Sequence, residues 1–493
     1  MTWKTKFGSF YLLLFLFFCC KKPNPPESPN PPEPPIEDNK PPSAFSVTVL
    51  KTSSNYVSIE WTAATDPEND AIIYSICIND SIVKDSISNV FTCKIDNLKP
   101  EKHYTGYVQA SDSKLNSTKV SFDFITGKYY TRFSKVYGFL DNFTTGRSIV
   151  ENGLKGYIIS GFDLNWDLAL VSIDSLGNEI WRRTFPFAHR DNLQIKKTSD
   201  NAFIIVGFRY VLKISSDGDK IWDYVVNYED NDTEFTSIIE TNDNGYLVVG
   251  TGLNSSYTTL VSLTKLNTDG KFQWIRYYDK PEGSSGFYGS YGNGIERSSD
   301  GNFILLCSTY TTNMHVYIIK VDMEGQLIWN KILTPHYYNM PKQIIKTTDN
   351  GLLILSDAIS STDVHWPRVI KIDNDGNIIW DQFYEMDAYS AKPYAICQTI
   401  DGGYAITGEI NKNYTGLYKA ACLLLKLKSD GAFDWEKLYS YGDDMDYWWC
   451  GYDLQQTKDF GFLITGKKSW IYYPPEKDWG YWVIKTDPIG EFE

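Results

Sequence analysis

The residues of this chain whose types and spacing suit recognition chemistry are aromatics interleaved with carboxylates. The richest segments carry Asp443, Asp444, Asp446, Tyr447, Trp448 and Trp449, then Trp470, Tyr472, Tyr473 and Trp479. Earlier segments add Phe287, Tyr288, Tyr291, Tyr337, Tyr338, Trp366, Tyr389, Tyr414 and Tyr418. An exposed aromatic face stacks on the C–H face of a sugar ring, and a carboxylate beside it accepts hydroxyl hydrogen bonds. The same residues can anchor a protein partner. A third reading is that these segments fold back and bury their own aromatics. Carboxylates held about 5 Å or roughly 6.5–9.5 Å apart could also hydrolyse a glycosidic bond. No motif singles out such a pair, and G-x-S-x-G, H-E-x-x-H and P-loop motifs are absent. We therefore expect a glycan or a surface protein to be bound through Tyr337, Trp366, Tyr389, Tyr414, Asp443, Asp446, Tyr447, Trp448, Trp449, Trp470, Tyr472 and Trp479, without catalysis.

No metal or cofactor is expected. The five His are scattered, without zinc-ligand spacing. Asp373-Asn374-Asp375-Gly376 looks like the start of a calcium loop, but Asp174-Ser175-Leu176-Gly177 lacks the second acid and no downstream Glu recurs. A turn is the better reading. Outside the leader stand Cys77, Cys93, Cys307, Cys397, Cys422 and Cys450, none in CxxC spacing. They read as small buried apolar residues. Cys93 falls on a core face and Cys77 on an outer face, which argues against that pair as a disulfide.

These residues need a scaffold, and the chain is long enough to supply one. At 493 residues with 42% hydrophobic content it can build a sizeable core in more than one domain. Its net charge of −14 repels phosphate backbones, so nucleic acid is excluded as a partner. We expect a monomer.

A repeat runs through residues 128–493 and decides the fold. One anchor is a turn opening a β run, at Gly156, Ala202, Gly245, Asn302, Gly351, Gly403 and Gly461. The other is a Gly followed four residues later by Trp: Gly177/Trp181, Gly218/Trp222, Gly270/Trp274, Gly325/Trp329, Gly376/Trp380 and Gly431/Trp435. Four residues further comes an apolar residue, as in Phe185, Val226, Tyr278, Leu333, Tyr384 and Tyr439. The seventh Gly, Gly490, has no Trp after it, but Phe133 and Tyr137 repeat the aromatic spacing near residue 128. The first strand of the repeat region should thus complete the last sheet and close a ring. Each repeat reads as four strands, A to D, with tight A–B and C–D turns. Length varies only in 279–291, 310–315, 359–367, 385–392, 411–419, 440–450 and 468–480, which places every long loop on one face.

The D-x-x-G-x-x-x-W pattern resembles the repeat of quinoprotein dehydrogenases and of the outer-membrane assembly propeller lipoprotein. The Asp-Gly-Gly-Tyr copies look more like propeller repeats of secreted Bacteroidota proteins. The resemblance implies a seven-bladed β-propeller of four-stranded blades. It does not bring the quinone activity, because Cys19-Cys20 in the leader is the only vicinal Cys pair.

Residues 43–127 alternate apolar and polar in short runs, as a β-sandwich does. Trp61, Tyr74, Leu98, Pro100 and Tyr104 resemble the core Trp, the strand Tyr and the Leu-x-Pro…Tyr corner of a fibronectin type III domain. The expected fold is all-β: this sandwich, then the propeller. Ahead of them, residues 21–42 are Pro-rich and favour an extended rod. Residues 1–20 read as a signal peptide, with Lys4 and Lys6 before an uncharged run. The Cys after that run resembles a relaxed lipobox, with Phe18 in place of the usual small residue. Cys19 is the expected lipid attachment point; the alternative is an ordinary cleaved signal. The expectation is an outer-membrane lipoprotein facing the periplasm or the cell surface, held to the membrane by its lipid. An envelope scaffold, or a carbohydrate-active hydrolase or lyase, are the alternative functions.

Overall fold

The computed structural model describes residues 38–138, 145–153, 156–163, 165–186, 193–226, 233–253, 258–279, 289–310, 313–333, 338–386, 389–414, 417–439, 447–470 and 480–492. The chain divides into two compact units, Met1–Tyr129 and Tyr130–Glu493. Both are all-β, with no α-helix among the described residues.

In the first unit, Val47–Thr52, Val57–Trp61 and Thr92–Ile95 form a three-stranded sheet. Ser81–Ile87, Ile73–Ile78, His103–Ser111 and Ser117–Ile125 form a four-stranded one, in that order. Val57, Ile59 and Trp61 of the first sheet pack against Tyr74, Ile76, Val108 and Phe124 of the second. The Tyr104 hydroxyl accepts a hydrogen bond from the Lys99 backbone N–H at 2.7 Å, which pins the corner five residues upstream. All six described cysteines are free. Cys77 does alternate away from Ile76 and Ile78, but it is buried there rather than exposed.

The second unit is a succession of four-stranded antiparallel meanders. The fifth shows the plan: A is Tyr338–Lys346, B Leu352–Ile359, C His365–Ile372 and D Ile378–Phe383. Seven such sheets follow one another among the described residues. Single parallel bridges, Thr259↔Gly289 and Ala420↔Trp448, join the third to the fourth and the sixth to the seventh. The seventh takes its fourth strand from the start of the unit: Phe133–Tyr137 pairs antiparallel with Gly480–Lys485.

Packing closes the circle. Leu353, Leu355 and Val369 of sheet 5 meet Ile396, Tyr404 and Ile406 of sheet 6. Corresponding apolar clusters fill every other junction, including that of Phe133, Leu463 and Tyr481 from sheet 7 with Ile149, Ile159 and Val171 from sheet 1. An open row of seven sheets has six junctions; this one has a seventh. The arrangement fits a β-propeller, and the sheets are called blades below. Because each blade lies between two others, strands B and C are apolar and buried on both faces, whereas D is largely exposed.

Two devices repeat at the junctions. Trp181, Trp222, Trp274, Trp329, Trp380 and Trp435 lie against the turn glycine of the following blade, where a side chain would collide with the indole. In blade 7 Phe133 takes the Trp position and covers Gly177 of blade 1. Where the residue four further on is Tyr, its hydroxyl donates to that same glycine's carbonyl: Tyr278 to Gly325, Tyr384 to Gly431 and Tyr137 to Gly177, each at 2.7 Å, and Tyr439 to Gly490 at 3.0 Å. The second device pairs the A–B turn with strand C. The Lys371 ammonium is buried and meets Asp349 at 2.8 Å, and the same pair recurs from blade 2 to blade 7. Partial burial would raise the Asp349 carboxyl, but hydrogen bonds from Lys371 and Thr347 outweigh it and hold it down at about 2. The calcium-like Asp373 is committed to its turn. Its carboxylate accepts from the backbone N–H groups of Asp375 and Asn377.

Candidate functional site

Seven A strands converge on one cavity of about 360 Å³. They are Tyr338–Lys346 together with Thr145–Glu151, Gln194–Lys197, Glu234–Glu240, Gly289–Arg297, Tyr389–Gln398 and Tyr447–Gln456. Six of them carry a β-bulge at the same place, and blade 2 is the exception. The extra residues are Arg147, Thr236, Asn293, Lys342, Tyr394 and Tyr452, and all six line the cavity. A bulge leaves one residue out of the ladder and re-aims its side chain. Here it turns one residue per blade toward the axis. The bulges lie toward the start of strand A in blades 1 and 3 and near its middle in blades 4 to 7.

Four consecutive blades form an arc. Lys342 Nζ lies 5.5 Å from the Tyr394 ring centre. Tyr394 meets Tyr452 edge to face at 5.1 Å. Arg147 Cζ lies 4.3 Å from the Tyr452 ring centre. These are cation–π and T-shaped geometries. Below the arc runs a belt of contacts between blades. Asp453 accepts from the Ser148 hydroxyl at 2.7 Å and the Ile149 N–H at 3.0 Å. Gln194 accepts from Ser237, and Gln343 from the Ile396 N–H.

Enclosure sets the electrostatics. It raises the Asp453 carboxyl to about 6, against the hydrogen bonds from Ser148 and Ile149 that favour the charged form. It lowers the Lys342 ammonium, although Asp357 and Glu409 pull the other way. It lowers Lys467 for the same reason, with Glu409 opposing and Arg147 adding to the shift. Behind the arc, Asp357 is almost fully buried, 2.9 Å from His365 and 3.8 Å from Lys342. Glu409 accepts from the Trp448 indole N–H at 2.8 Å, with Lys392 at 3.9 Å. The arrangement offers cations, aromatic faces and hydrogen-bonding groups in one enclosure, which is the chemistry of a polar-ligand site.

The aromatic segments of the sequence reading meet this site only in part. Cys19, Tyr337, Asp443, Asp446, Tyr472 and Trp479 lie outside the described residues, as do Asp444 and Tyr473. Tyr389, Tyr414, Tyr447 and Trp470 lie on strands rather than in loops: A and B of blade 6, A and B of blade 7. Segment 411–419 is largely a paired hairpin, with Lys412 opposite Lys419 and Tyr414 opposite Leu417. Trp366 is half-buried on strand C of blade 5, opposite Ala358. Trp449 requires a correction. It is buried in the junction of blades 6 and 7, edge to face with Trp482 at 4.8 Å. Successive residues of a strand face opposite ways, so Trp448 and Trp449 cannot share one binding surface. Trp448 is the exposed member of the pair.

The bulge residues escaped the sequence reading, which looked to loops. Their signal was nevertheless present. Aligned on the strand A Ile or Leu, the copies read Gly-Arg-Ser-Ile, Gly-Asn-Gly-Ile, Pro-Lys-Gln-Ile, Pro-Tyr-Ala-Ile and Gly-Tyr-Asp-Leu. A proline inside a strand pattern marks an edge or a bulge.

No protein-family model matches the chain, and no curated protein matches it. Solved structures do show likeness. A protein of unknown function from Bacteroides caccae is 12% identical with a TM-score of 0.36, over 58% of this chain and 95% of that one. The extracellular domain of a proposed hybrid two-component system from B. thetaiotaomicron is 9% identical with a TM-score of 0.42, over 89% of this chain and 51% of that one. The WD40 domain of SCAP from fission yeast is 10% identical with a TM-score of 0.37, over 73% and 98%. The fold stands on the strand pairing and the seven junctions, not on these likenesses.

Proposed function

We propose that this is an envelope-anchored binding lipoprotein without catalytic activity. In this reading Cys19 carries the lipid, residues 21–42 form a spacer, residues 43–127 a fibronectin type III domain, and residues 128–493 a seven-bladed propeller that holds a glycan. The strand order of the first unit and the Tyr104 corner support the fibronectin reading. The observation that carries the binding role is the convergence of bulged A strands on one enclosure lined by Arg147, Lys342, Tyr394 and Tyr452. A glycan array probed with the full chain tests it. Binding that falls at least tenfold in Tyr452→Ala supports the reading. Turnover of any glycan, or an array without a single binder, overturns it.

One observation favours a second reading, an envelope scaffold that docks other proteins. The outer D strands expose Ile180, Ile221, Phe272, Leu327, Ile379 and Phe433, each at half or more of full accessibility. A rim of apolar residues on unpaired edge strands suits protein contacts. Pull-down of the same envelope protein by the intact chain, lost when Ile221 and Ile379 become Lys, would favour the scaffold over the glycan site.

A further inference from the structure

The binding reading leaves the class of glycan open, and the charge of the enclosure narrows it. Among the groups that line it, Arg147 and Lys342 are cationic and Asp453 is the one acid. The remainder of the lining is neutral. Around it, Lys196, Lys392 and Lys467 stand against Asp357, Glu296 and Glu409, three cations to three anions. The lining therefore carries an excess of about one positive charge when Asp453 is ionised. This excess sits inside a chain whose net charge is −14. A positive spot within a negative molecule is a local device, and low-dielectric walls focus its field.

We propose that the arc Lys342–Tyr394–Tyr452–Arg147 binds an acidic sugar of the hexuronate class, its carboxylate drawn by the charges of Arg147 and Lys342 and a ring C–H face on one tyrosine. This rests on the propeller being the glycan-binding part of the chain.

Four observations carry it. The two cations stand at the ends of the arc and the two tyrosines between them. That order places charge and stacking surface within one small ligand's reach. Second, Arg147 Nε and Asn293 Oδ1 are buried without a hydrogen-bond partner among the described residues. Orphaned polar atoms in such a place call for a ligand or water. A guanidinium matches a carboxylate with two parallel hydrogen bonds. Third, enclosure depresses Lys342 and Lys467, so the protein's own anions do not fully compensate their charge. A bound carboxylate supplies what is missing. Fourth, an excess of one charge suits a monoanion, where a phosphate monoester brings nearly two. The cavity of about 360 Å³ lies at the lower end of the small-ligand range.

The test is calorimetric titration of the full chain with the methyl glycosides of galacturonate, glucuronate and mannuronate, with their methyl esters, and with glucose 6-phosphate. The expected result is binding of at least one uronate series, at least tenfold tighter than its uncharged ester and weakened by salt. Arg147→Gln and Lys342→Gln should each cost about tenfold toward the acid and leave the ester unchanged. Both variants are checked for a wild-type unfolding transition. If one fails to fold, the other carries the test. Equal binding of acid and ester overturns the acidic-sugar inference and leaves the glycan reading standing. So does tighter binding of glucose 6-phosphate. If no uronate binds while the array finds a neutral glycan, the inference again falls alone. If neither the uronates nor the array gives a binder, both fall.

Discussion

Strand Phe133–Tyr137 is the clasp of the ring, and replacing its aromatics should unfasten it. Phe133 is 8% exposed and packs in the junction of blades 7 and 1 over Gly177. Truncating a buried Phe to Ala costs about 3–5 kcal/mol. We expect Phe133→Ala to fall near the lower bound, about 3 kcal/mol, because the turn it covers faces solvent on its far side. Tyr137→Phe removes one hydrogen bond to the Gly177 carbonyl. That carbonyl keeps a second donor, the Lys135 ammonium at 2.9 Å. No acceptor is stranded, so the loss should be only about 1 kcal/mol. Urea unfolding followed by tryptophan fluorescence measures both. Trp482 is a local reporter, since its indole N–H donates to the Ser134 hydroxyl on the clasp at 3.0 Å. The transition of the first unit should stay where it is. Trp222→Ala, the same position in an interior blade, is the reference and should cost about 3–5 kcal/mol. If Trp222→Ala destabilises the ring by that amount and Phe133→Ala by less than about 0.5 kcal/mol, the ring does not depend on its clasp and the reasoning from seven junctions is wrong.

Gly270 has a φ of +76° and its added Cβ would stand 2.3 Å from Trp222, whereas Gly301 has a φ of +88° with open space around it. Thermal unfolding should therefore show Gly301→Ala costing about 1 kcal/mol of backbone strain and Gly270→Ala clearly more. The turn carboxylates predict an acid limb. Asp349 is held at about 2 in the folded chain and reverts to about 3.9 on unfolding. Its contribution is present above the unfolded value and is lost as pH falls toward 2. Chemical denaturation between pH 5 and pH 2 should show a shallower loss in Asp349→Asn than in the wild type. Asp453 has the opposite sign. Its carboxyl rises to about 6 on folding, so the stability it contributes is full below the unfolded value near 3.9 and disappears as pH rises through 6. Asp453→Asn should flatten that slope, and an unchanged slope between pH 4 and pH 7 would contradict the enclosure of this group.

Much of the ring was legible in the sequence because its repeat is spelled by residues with one structural use. A Gly followed four residues later by Trp fixes a turn and the plug that covers it. Phe133 and Tyr137 could be matched to the seventh Gly because they keep the aromatic spacing of the other copies. Lys371, on strand C between Ile370 and Ile372, carries no sign of its partner in the sequence. Its pairing with the A–B turn acid is a contact between strands that pairing register alone reveals. The site was harder to read. Exposed aromatics were sought in long connections, but Trp449 shows that two adjacent indoles on a strand must part company, one into the core. The arc was missed because a bulge shifts a side chain by inserting one residue, which leaves composition and hydrophobic pattern almost untouched. Pro341 and Pro393 were the visible trace.

The clasp also decides how the ring meets mechanical load. The second unit begins at Tyr130, and the first strand after it is Phe133–Tyr137. Tension arriving through the chain from the N-terminal side therefore enters the ring at its lock rather than at an arbitrary blade. Pulled along its own axis, that strand loads five register pairs with Gly480–Lys485 together, in shear. It also drags Phe133 out from over Gly177 and Tyr137 off the same glycine's carbonyl. The strand that would take such a pull is thus the strand whose failure opens the ring, and a chain held by its N-terminal end would be expected to yield there before an interior blade came apart.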